Sequence, residues 1–346
     1  MKPLKYILPL IVAFTACTKV LEIDEPTERQ LVVNAEPMAG HQAFVNFSYT
    51  RFFLDDNNEQ PVTGGTVTLI VNGTPYSADS VRHCNYFFPY TLQPGDELEV
   101  DVSAPDGRRA HAATYVPLMP DVSGFDVRYR RTQVFNYLAA SFNLSDHADV
   151  DEIYSIAVQV RDSGSRYNEW MAKYDTVDTV YYTYFCLPDV PDITDNDVCP
   201  YIPMVEEPFM LYGSRVMFLD TRIAGRQNMP VTILIPLLRD TNEVEPFVHE
   251  YIVSLKSVTP ARFRYIVSAA SQGGSVSMFA EQGQSYGNVD GALGIFAGSA
   301  GYKYTFDKDS VMNAAGGDDS GPSALPADIL RYFNDKLTII NGAARR

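Results

Sequence analysis

The sequence predicts a mainly β fold, in which an N-terminal Ig-like β-sandwich is followed by a second β-rich domain with one or two short helices. Three observations support this prediction. Strand-forming and polar residues alternate through residues 28–119, turn-forming clusters interrupt the alternation about every ten residues, and a clear helical period occurs only near residue 260. A proline- and glycine-containing stretch at residues 117–124 marks the boundary between the two parts.

The first domain, residues 28–119, is predicted from its turns as much as from its strands. Asn72-Gly73 is the strongest hairpin signal, because a two-residue type I′ turn needs positive φ at both positions. The predicted strands cover residues 30–36, 43–53, 61–71, 86–92, 97–103 and 110–116. Strands this short and this closely spaced are typical of an Ig-like sandwich.

The second domain, residues 120–346, is predicted to hold longer strands around an insertion at residues 162–213. Its predicted strands cover residues 134–144, 153–161, 231–238, 248–255 and 302–306. The insertion is rich in Tyr, Asp and Pro and is predicted to be irregular. Loops of this length are usually functional or disordered, and the many aromatic residues argue against simple disorder.

One helix is predicted between Thr259 and Gly273. Thr259 suits the N-cap, and Pro260 suits the first helical position. The apolar face is spaced at i, i+3, i+4 and i+7, through Phe263, Ile266, Val267 and Ala270. A second short helix is predicted from Pro326, with Ile329 and Phe333 facing inward.

The first sixteen residues have the three parts of a secretory signal. Lys2 and Lys5 form a positive start, residues 6–16 form an apolar run too short to span a bilayer, and small residues precede Cys17. This order predicts a lipoprotein signal peptide over residues 1–16, lipidation of Cys17 and a tether over residues 17–27. An ordinary signal peptide or a short hydrophobic anchor is the less favoured alternative.

Two or more acyl chains hold a protein stably on a membrane, so a lipidated Cys17 needs no inserted segment. Glu22, Asp24 and Glu25 follow the cysteine closely, which resembles the surface-export signal of Bacteroidetes lipoproteins. The predicted location is the outer membrane, with the chain lipid-anchored. Its two alternative orientations are outward, which these acidic residues favour, and periplasmic.

Charge excludes two classes of partner. The chain carries a formal net charge of −16, and loss of the two lysines in residues 1–16 makes the mature chain −18. Nucleic-acid binding needs a basic footprint, and so does lying flat on an anionic leaflet. Both functions are therefore set aside.

Three cysteines remain after lipidation of Cys17. Cys186 and Cys199 flank a proline- and aspartate-rich stretch, and an oxidising compartment favours a disulfide between them, worth about 3 kcal/mol in the chain-entropy model. A metal site is less favoured, since no histidine lies nearby. Cys84 is then predicted to be a buried thiol.

No catalytic or cofactor motif stands out. Gly283 to Gly287 match G-x-S-x-G, but polar residues precede the motif and no histidine follows it, so a loop is predicted instead of a hydrolase nucleophile elbow. Two acidic clusters are solvated loops on the favoured interpretation and calcium sites on the alternative: Asp146, Asp149, Asp151 and Glu152 form one, and Asp192, Asp195 and Asp197 the other. The five histidines lack zinc-ligand spacing.

Aromatic residues of the insertion are the best candidates for binding. Trp170, Tyr181, Tyr182 and Tyr184 could stack on a sugar or fill a partner's pocket. The alternative is that these rings pack the insertion onto its own domain, and large rings are readily buried.

Several segments together resemble the Bacteroidetes lipoprotein family of domain of unknown function 4249. They are residues 31–34, 53–56, 61–69, 255–258 with Tyr265, and the glycine-rich residues 291–298, where Ala292 and Ala297 replace glycines often found in the family. The family has no established activity or catalytic residues, and its members commonly accompany TonB-dependent receptors. The resemblance implies an accessory lipoprotein that binds cargo or partners such a receptor. A structural or adhesive surface protein is the alternative, and a hydrolase comes third.

Overall fold

Strand-rich residues and tight turns build two β-sandwiches, which confirms the predicted mainly β fold. A computed structural model describes residues 28–51, 60–131, 136–147, 153–168, 171–183, 216–219, 225, 227–237, 243–272 and 286–314. Within these residues no helix combines the length and the apolar character needed to cross a membrane. The predicted signal peptide and tether, with Cys17, lie outside them.

The first sandwich consists of a five-stranded and a four-stranded sheet. The strands from its N-terminal part are β1 Leu31–Ala35, β2 Gln42–Tyr49, β3 Thr66–Val71, β4 Thr74–Ser77, β5 Ser80–Arg82, β6 Asn85–Thr91, β7 Glu97–Ser103 and β8 Arg109–Tyr115. With β16 Leu293–Phe296, the sheet orders are β16-β1-β2-β6-β5 and β4-β3-β7-β8. Alternate side chains of both sheets point inward, so Val33, Phe47, Phe88 and Val100 share one core.

The predicted hairpin turn at Asn72-Gly73 is present. Both residues have positive φ, 49° and 77°, and they join β3 to β4. The Asn72 side chain adds to the turn, because its Nδ2 donates to Asp96 Oδ1 (2.8 Å) and its Oδ1 accepts from the Glu97 amide (2.9 Å).

The second sandwich packs a three-stranded sheet on a larger one. Its strands are β9 Asp121–Arg131, β10 Asn136–Ser145, β11 Ile153–Asn168, β12 Lys173–Tyr182, β13 Val216–Leu219, β14 Met229–Pro236, β15 Glu243–Val258 and β17 Ser299–Asp307. The orders are β14-β10-β9 and β12-β11-β15-β17, and β13 also pairs with β11. Phe142, Ile156, Ile233 and Val253 lie in the core between them.

The prediction that residues 162–213 are irregular is wrong for the part that the structure describes. β11 continues to Asn168, and β12 returns beside it in unbroken antiparallel register from Lys173↔Asn168 to Tyr182↔Gln159. Val, Thr and Tyr fill most of β12, and these residue types favour strands. Aspartates at 175 and 178 obscured that pattern, although both are exposed enough to tolerate a strand.

The predicted helix near residue 260 is confirmed as α1 Pro260–Gln272. The Arg262 amide donates to Thr259 Oγ1 at 3.4 Å, as expected for an N-cap. Phe263 and Ile266 pack beside Val258. The helix predicted from Pro326 lies outside the described residues, whereas a short α2 Lys308–Ala314 was not predicted and begins at an Asp307 cap, whose Oδ1 accepts from the Ser310 amide at 2.8 Å.

One strand from beyond the predicted boundary joins the first sandwich. β16 pairs in parallel with β1, from Val32↔Leu293 to Ala35↔Phe296. Just before it, Asp290 exchanges two backbone hydrogen bonds with His111 of the opposite sheet (2.8 and 3.0 Å). Residues 286–301 therefore close one open edge of the first sandwich and lead directly into β17 of the second.

Ion pairs add a polar link where the sandwiches meet. Glu36, just after β1, lies 2.6 Å from Arg262 Nη2 and 3.5 Å from Lys256 Nζ. Ser299 Oγ donates to the same carboxylate at 3.4 Å. These contacts place the outer face of β1 beside α1.

Candidate functional site

A cleft of about 630 Å³ lies where β1, α1 and the segment before β16 come together. We call it the junction cleft. Nine of the described residues line it: Val32, Asn34, Tyr265, Tyr286, Gly287, Val289, Ala292, Leu293 and Gly294. None of them carries a charge, so the described lining of the cleft is neutral in a chain whose net charge is −16.

Hydrogen bonds to α1 hold one wall of the cleft. The Tyr286 amide donates to Ser268 Oγ at 2.8 Å, and this hydroxyl donates to the Tyr265 carbonyl at 2.9 Å. Guanidinium groups lie near both rings, with Arg264 5.9 Å from the Tyr286 centroid and Arg262 5.8 Å from the Tyr265 centroid. The two tyrosines are therefore attached to a helix and not to a free loop.

The opposite wall is fixed through β16. Asn34 Oδ1 accepts from the Ile295 amide at 3.2 Å, while its side-chain Nδ2 makes no hydrogen bond in the described part of the chain. The Asn288 side chain caps the outer edge of β16, because it both donates to the Phe296 carbonyl and accepts from the Phe296 amide, each at 2.8 Å. This cap supplies the hydrogen bonds that another strand would otherwise make.

Close backbone packing explains the glycines of this segment. A Cβ on Gly294 would overlap the Val33 carbonyl oxygen, and one on Gly298 would overlap that of Tyr115. The glycine-rich sequence therefore allows β16 to approach both sheets, which is the usual reason for glycine in a strand.

A second cleft of about 400 Å³ adjoins the first at Ala292 and Leu293. We call it the adjoining cleft, and its other lining residues are Glu28, Gln30, Leu31, Arg108 and Gly291. Arg108 is held by Asp106 (2.6 Å) and by the Arg29 carbonyl (2.5 Å). Hydrogen bonds from Arg108 lower the pKa of Asp106, so this exposed pair stays ionised at neutral pH.

The predicted aromatic binding residues do not line the junction cleft as far as the structure describes them. Tyr181 and Tyr182 end β12 and are 43% and 40% exposed, while Trp170 and Tyr184 lie outside the described residues. Burial of its hydroxyl raises the pKa of Tyr182, and the nearby Glu36 raises it further. Tyr182 is thus close to the link between the sandwiches, and its role in binding stays a prediction.

Tyr181 belongs to a buried polar cluster, which we call the Asp162 cluster. Asp162 Oδ2 accepts from the Tyr181 hydroxyl at 3.2 Å and from Arg166 Nη2 at 3.4 Å, and its Oδ1 lies 2.9 Å from His249 Nδ1. Asp162 is 3% and His249 7% exposed. Burial acts to raise the pKa of Asp162, but His249, Tyr181 and Arg166 together outweigh burial and lower it.

The structure also describes parts of the other sites that the sequence analysis considered. Cys84 is buried, at 2% exposed, as predicted. Asp146 accepts from the Tyr154 hydroxyl (3.1 Å) and the Gly225 amide (2.7 Å), and the described residues hold no group of three potential metal ligands. No helix starts at residues 286–290, where a nucleophile elbow would continue into one. Cys186, Cys199 and the second acidic cluster lie outside the described residues.

Comparison with known protein families shows which family the chain belongs to. The family "Domain of unknown function (DUF4249)" matches residues 18–305, which is most of the sequence. The chain belongs to this family. The described clefts lie within the DUF4249 match, and so does the glycine-rich segment that closes the first sandwich.

Solved structures match the chain only distantly. One is the SGBP-B protein of the Bacteroides ovatus mixed-linkage glucan utilization locus, in complex with a mixed-linkage heptasaccharide: identity 8%, TM-score 0.21, covering 58% of this chain and 52% of that one. This DUF4249 protein thus spans about half the length of SGBP-B. Another, from Bacteroides uniformis and assigned as carbohydrate-binding, has 10% identity and TM-score 0.20 and covers 80% and 97% of the two chains. A search of curated proteins found no match.

The sequence analysis did not identify the junction cleft. Tyr265 was visible on the predicted helix, and the glycine-rich segment was visible as a motif, but the two are separated from β1 by more than two hundred residues. The one local signal was the density of glycines at residues 291–301, since clustered glycines indicate close backbone approach.

Proposed function

We propose that this protein is a binding protein without catalytic activity, which captures cargo in the junction cleft at the outer membrane. The single observation that carries this proposal is the neutral cleft of about 630 Å³ with two tyrosines on its walls. Ligand sites are typically concave, largely apolar, of a few hundred to about 1,000 Å³, and equipped with few polar groups. The junction cleft has this size and this chemistry.

The rigidity of the walls favours binding further. Tyr265 lies in α1, Tyr286 is tied to Ser268 of that helix, and Asn34 is tied to β16. A site whose side chains are already positioned loses little conformational entropy when a ligand binds. The lining offers aromatic rings, which can pack against a ligand, and an amide and backbone groups, which can form hydrogen bonds with it.

Retention of cargo tests the proposal. Immobilised protein is incubated with a protein-free extract of the soluble macromolecules in the growth medium, and retained material is quantified. Wild type is expected to retain a component that the double variant Tyr265→Ala/Tyr286→Ala retains at least ten-fold less, because both rings of the cleft are lost. Tyr174→Ala is the matched control, since Tyr174 is 64% exposed on β12 and does not line the cleft.

Two outcomes would contradict the proposal. Equal retention by wild type and the double variant would remove the cleft from the function. No retention by wild type above a blank support would remove the binding function itself. Circular dichroism and the melting temperature establish beforehand that the variants fold.

The proposed location rests on the signal sequence. Lipid on Cys17 would anchor the folded part through the tether at residues 17–27, and a cargo-binding protein at the outer membrane fits a TonB-dependent receptor as its partner. Cys17→Ala is expected to abolish labelling by a palmitate analogue and to release the protein from the membrane fraction. Cys84→Ala serves as the control and should keep its label. Continued labelling of Cys17→Ala would refute the anchor.

A further inference from the structure

We propose that the ligand of the junction cleft is a chain of neutral sugars that continues into the adjoining cleft. This inference rests on the proposed function and specifies the class of cargo. It is argued from charge, from the chemistry of the walls and from the shape of the two clefts.

The charge of the junction cleft disfavours strongly ionic ligands. None of the nine residues that line the junction cleft is charged, so neither an anion nor a cation would meet a counter-ion in its lining. Cations beside the clefts are already engaged, because Arg262 pairs with Glu36 at 2.6 Å and Arg264 lies over the Tyr286 ring. Arg108, which lines the adjoining cleft together with Glu28, pairs with Asp106 at 2.6 Å. The net charge of −16 disfavours an anion further. A neutral ligand needs no counter-ion and is not repelled by the negative charge of the chain.

The walls match a ring that has an apolar face and a polar rim. Tyr265 and Tyr286 supply aromatic surface together with hydroxyl groups, and Val289 and Leu293 supply aliphatic surface. The Asn34 amide retains N–H donors for ligand hydroxyl groups. A sugar ring presents C–H groups on its faces and hydroxyl groups around its edge, so it fits both kinds of surface at once.

The shape favours a chain over a single ring. Gln30, Val32 and Asn34 are alternate residues on one face of β1 and its N-terminal extension, and they line the two clefts in succession. Four residues of extended chain span about 13 Å, which exceeds one monosaccharide. Ala292 and Leu293 line both clefts, so a linear ligand could cross from one to the other.

A peptide is the main competing ligand, and the edge of β16 argues against it. Peptides commonly bind a sheet by adding a strand to an exposed edge. The outer edge of β16 is capped at Phe296 by both ends of the Asn288 amide, at 2.8 Å each. An added strand would have to displace these two hydrogen bonds.

Calorimetry with defined oligosaccharides tests the inference. The probes are neutral hexasaccharides of glucose, xylose, mannose and galactose, with the corresponding disaccharides, a hexagalacturonate and an uncharged hexapeptide. At least one neutral hexasaccharide is expected to bind wild type, and at least ten-fold more tightly than its disaccharide. Tyr286→Ala should weaken it ten-fold or more, while Tyr286→Phe retains the ring and should keep most of the affinity.

A blocking variant provides an independent measurement. Gln30→Trp would fill part of the adjoining cleft, and Gln30 is exposed and does not line the junction cleft. The advantage of the hexasaccharide over the disaccharide should therefore disappear while disaccharide binding in the junction cleft persists. Tyr174→Ala should bind like wild type.

The other outcomes overturn the inference in distinguishable ways. Binding of only the hexagalacturonate or the peptide, sensitive to Tyr286→Ala, would refute the sugar class and leave the proposed function standing. Neutral sugar binding that is unchanged in both Tyr286→Ala and Gln30→Trp would refute the site. No binding of any neutral hexasaccharide would refute the ligand class, and the retention experiment would then decide separately whether the protein binds cargo.

Discussion

Gly298→Ala is expected to lower the free energy of unfolding by about 2–3 kcal/mol, because added volume in a tightly packed site has nowhere to go. A Cβ at this position would overlap the Tyr115 carbonyl oxygen. The neighbouring backbone is fixed on two sides, since the Gly298 amide donates to Thr114 Oγ1 (3.3 Å) and its carbonyl accepts from the Thr259 amide (3.2 Å). The first sandwich, β16 and the start of α1 would all have to shift.

Gly40→Ala is the matched control for this variant. Gly40 has a φ of +77° and open space around the position of a Cβ, so alanine there costs only the left-handed backbone conformation, roughly 1 kcal/mol. The free energy of unfolding of both variants is measured by guanidinium denaturation. The two are compared provided that the dependence of this free energy on guanidinium concentration is the same in both. A smaller loss of unfolding free energy at Gly298 than at Gly40 would show that residues 286–301 adapt easily to added volume. That result would contradict their role as a rigid wall of the junction cleft.

The sequence predicted the first sandwich well because the decisive signals there are local. Asn72-Gly73 specifies its turn through the backbone freedom of two adjacent residues, and β7 coincides with the predicted residues 97–103. Alternation also fixed which residues enter the core, as with Val67, Leu69 and Val71 of β3. The short β5 Ser80–Arg82 escaped prediction because its three residues are exposed and show no alternation.

Polar strands were harder to predict. β12 is exposed along most of its length, so the burial alternation that marks a strand is missing, and its stability comes from ten paired positions on β11. The side chains that buttress this hairpin are distant in sequence. Asp162 and His249, for example, are 87 residues apart and meet only through the pairing of β11 with β15. No periodicity in either segment could indicate that contact.

The junction cleft could not be predicted for the same reason. Asn34 and Ile295, which meet through a side-chain hydrogen bond, are 261 residues apart. The parallel pairing of β1 with β16 brings the end of the family match back to its beginning. The spacing of the glycines indicates that another backbone segment lies close to them, but it does not identify that segment.

Asp162→Ala is expected to lower the free energy of unfolding by about 3 kcal/mol or more, because buried His249 loses the carboxylate that it contacts and the variant removes one partner of a buried pair. His249, Tyr181 and Arg166 all direct polar atoms to this carboxylate, which is 3% exposed. Asp162→Asn keeps the shape and loses the charge, so a smaller loss is expected for it. Asp178→Asn is the control: Asp178 pairs with Arg161 at 3.0 Å on the exposed side of the hairpin, and its replacement should leave the unfolding midpoint unchanged.

The pH dependence separates the charge of Asp162 from its shape. The folded-state pKa of Asp162 lies below its ordinary value, because the three partners outweigh burial. A carboxylate with a depressed folded pKa stabilises the fold above its unfolded pKa of about 4, and this stability is lost as pH falls through the folded pKa. The difference in unfolding free energy between wild type and Asp162→Asn should therefore be full at pH 7 and shrink below about pH 4. A difference that stays constant from pH 7 to pH 3 would show that shape alone holds the cluster, since Asp162→Asn cannot lose a charge that it does not carry.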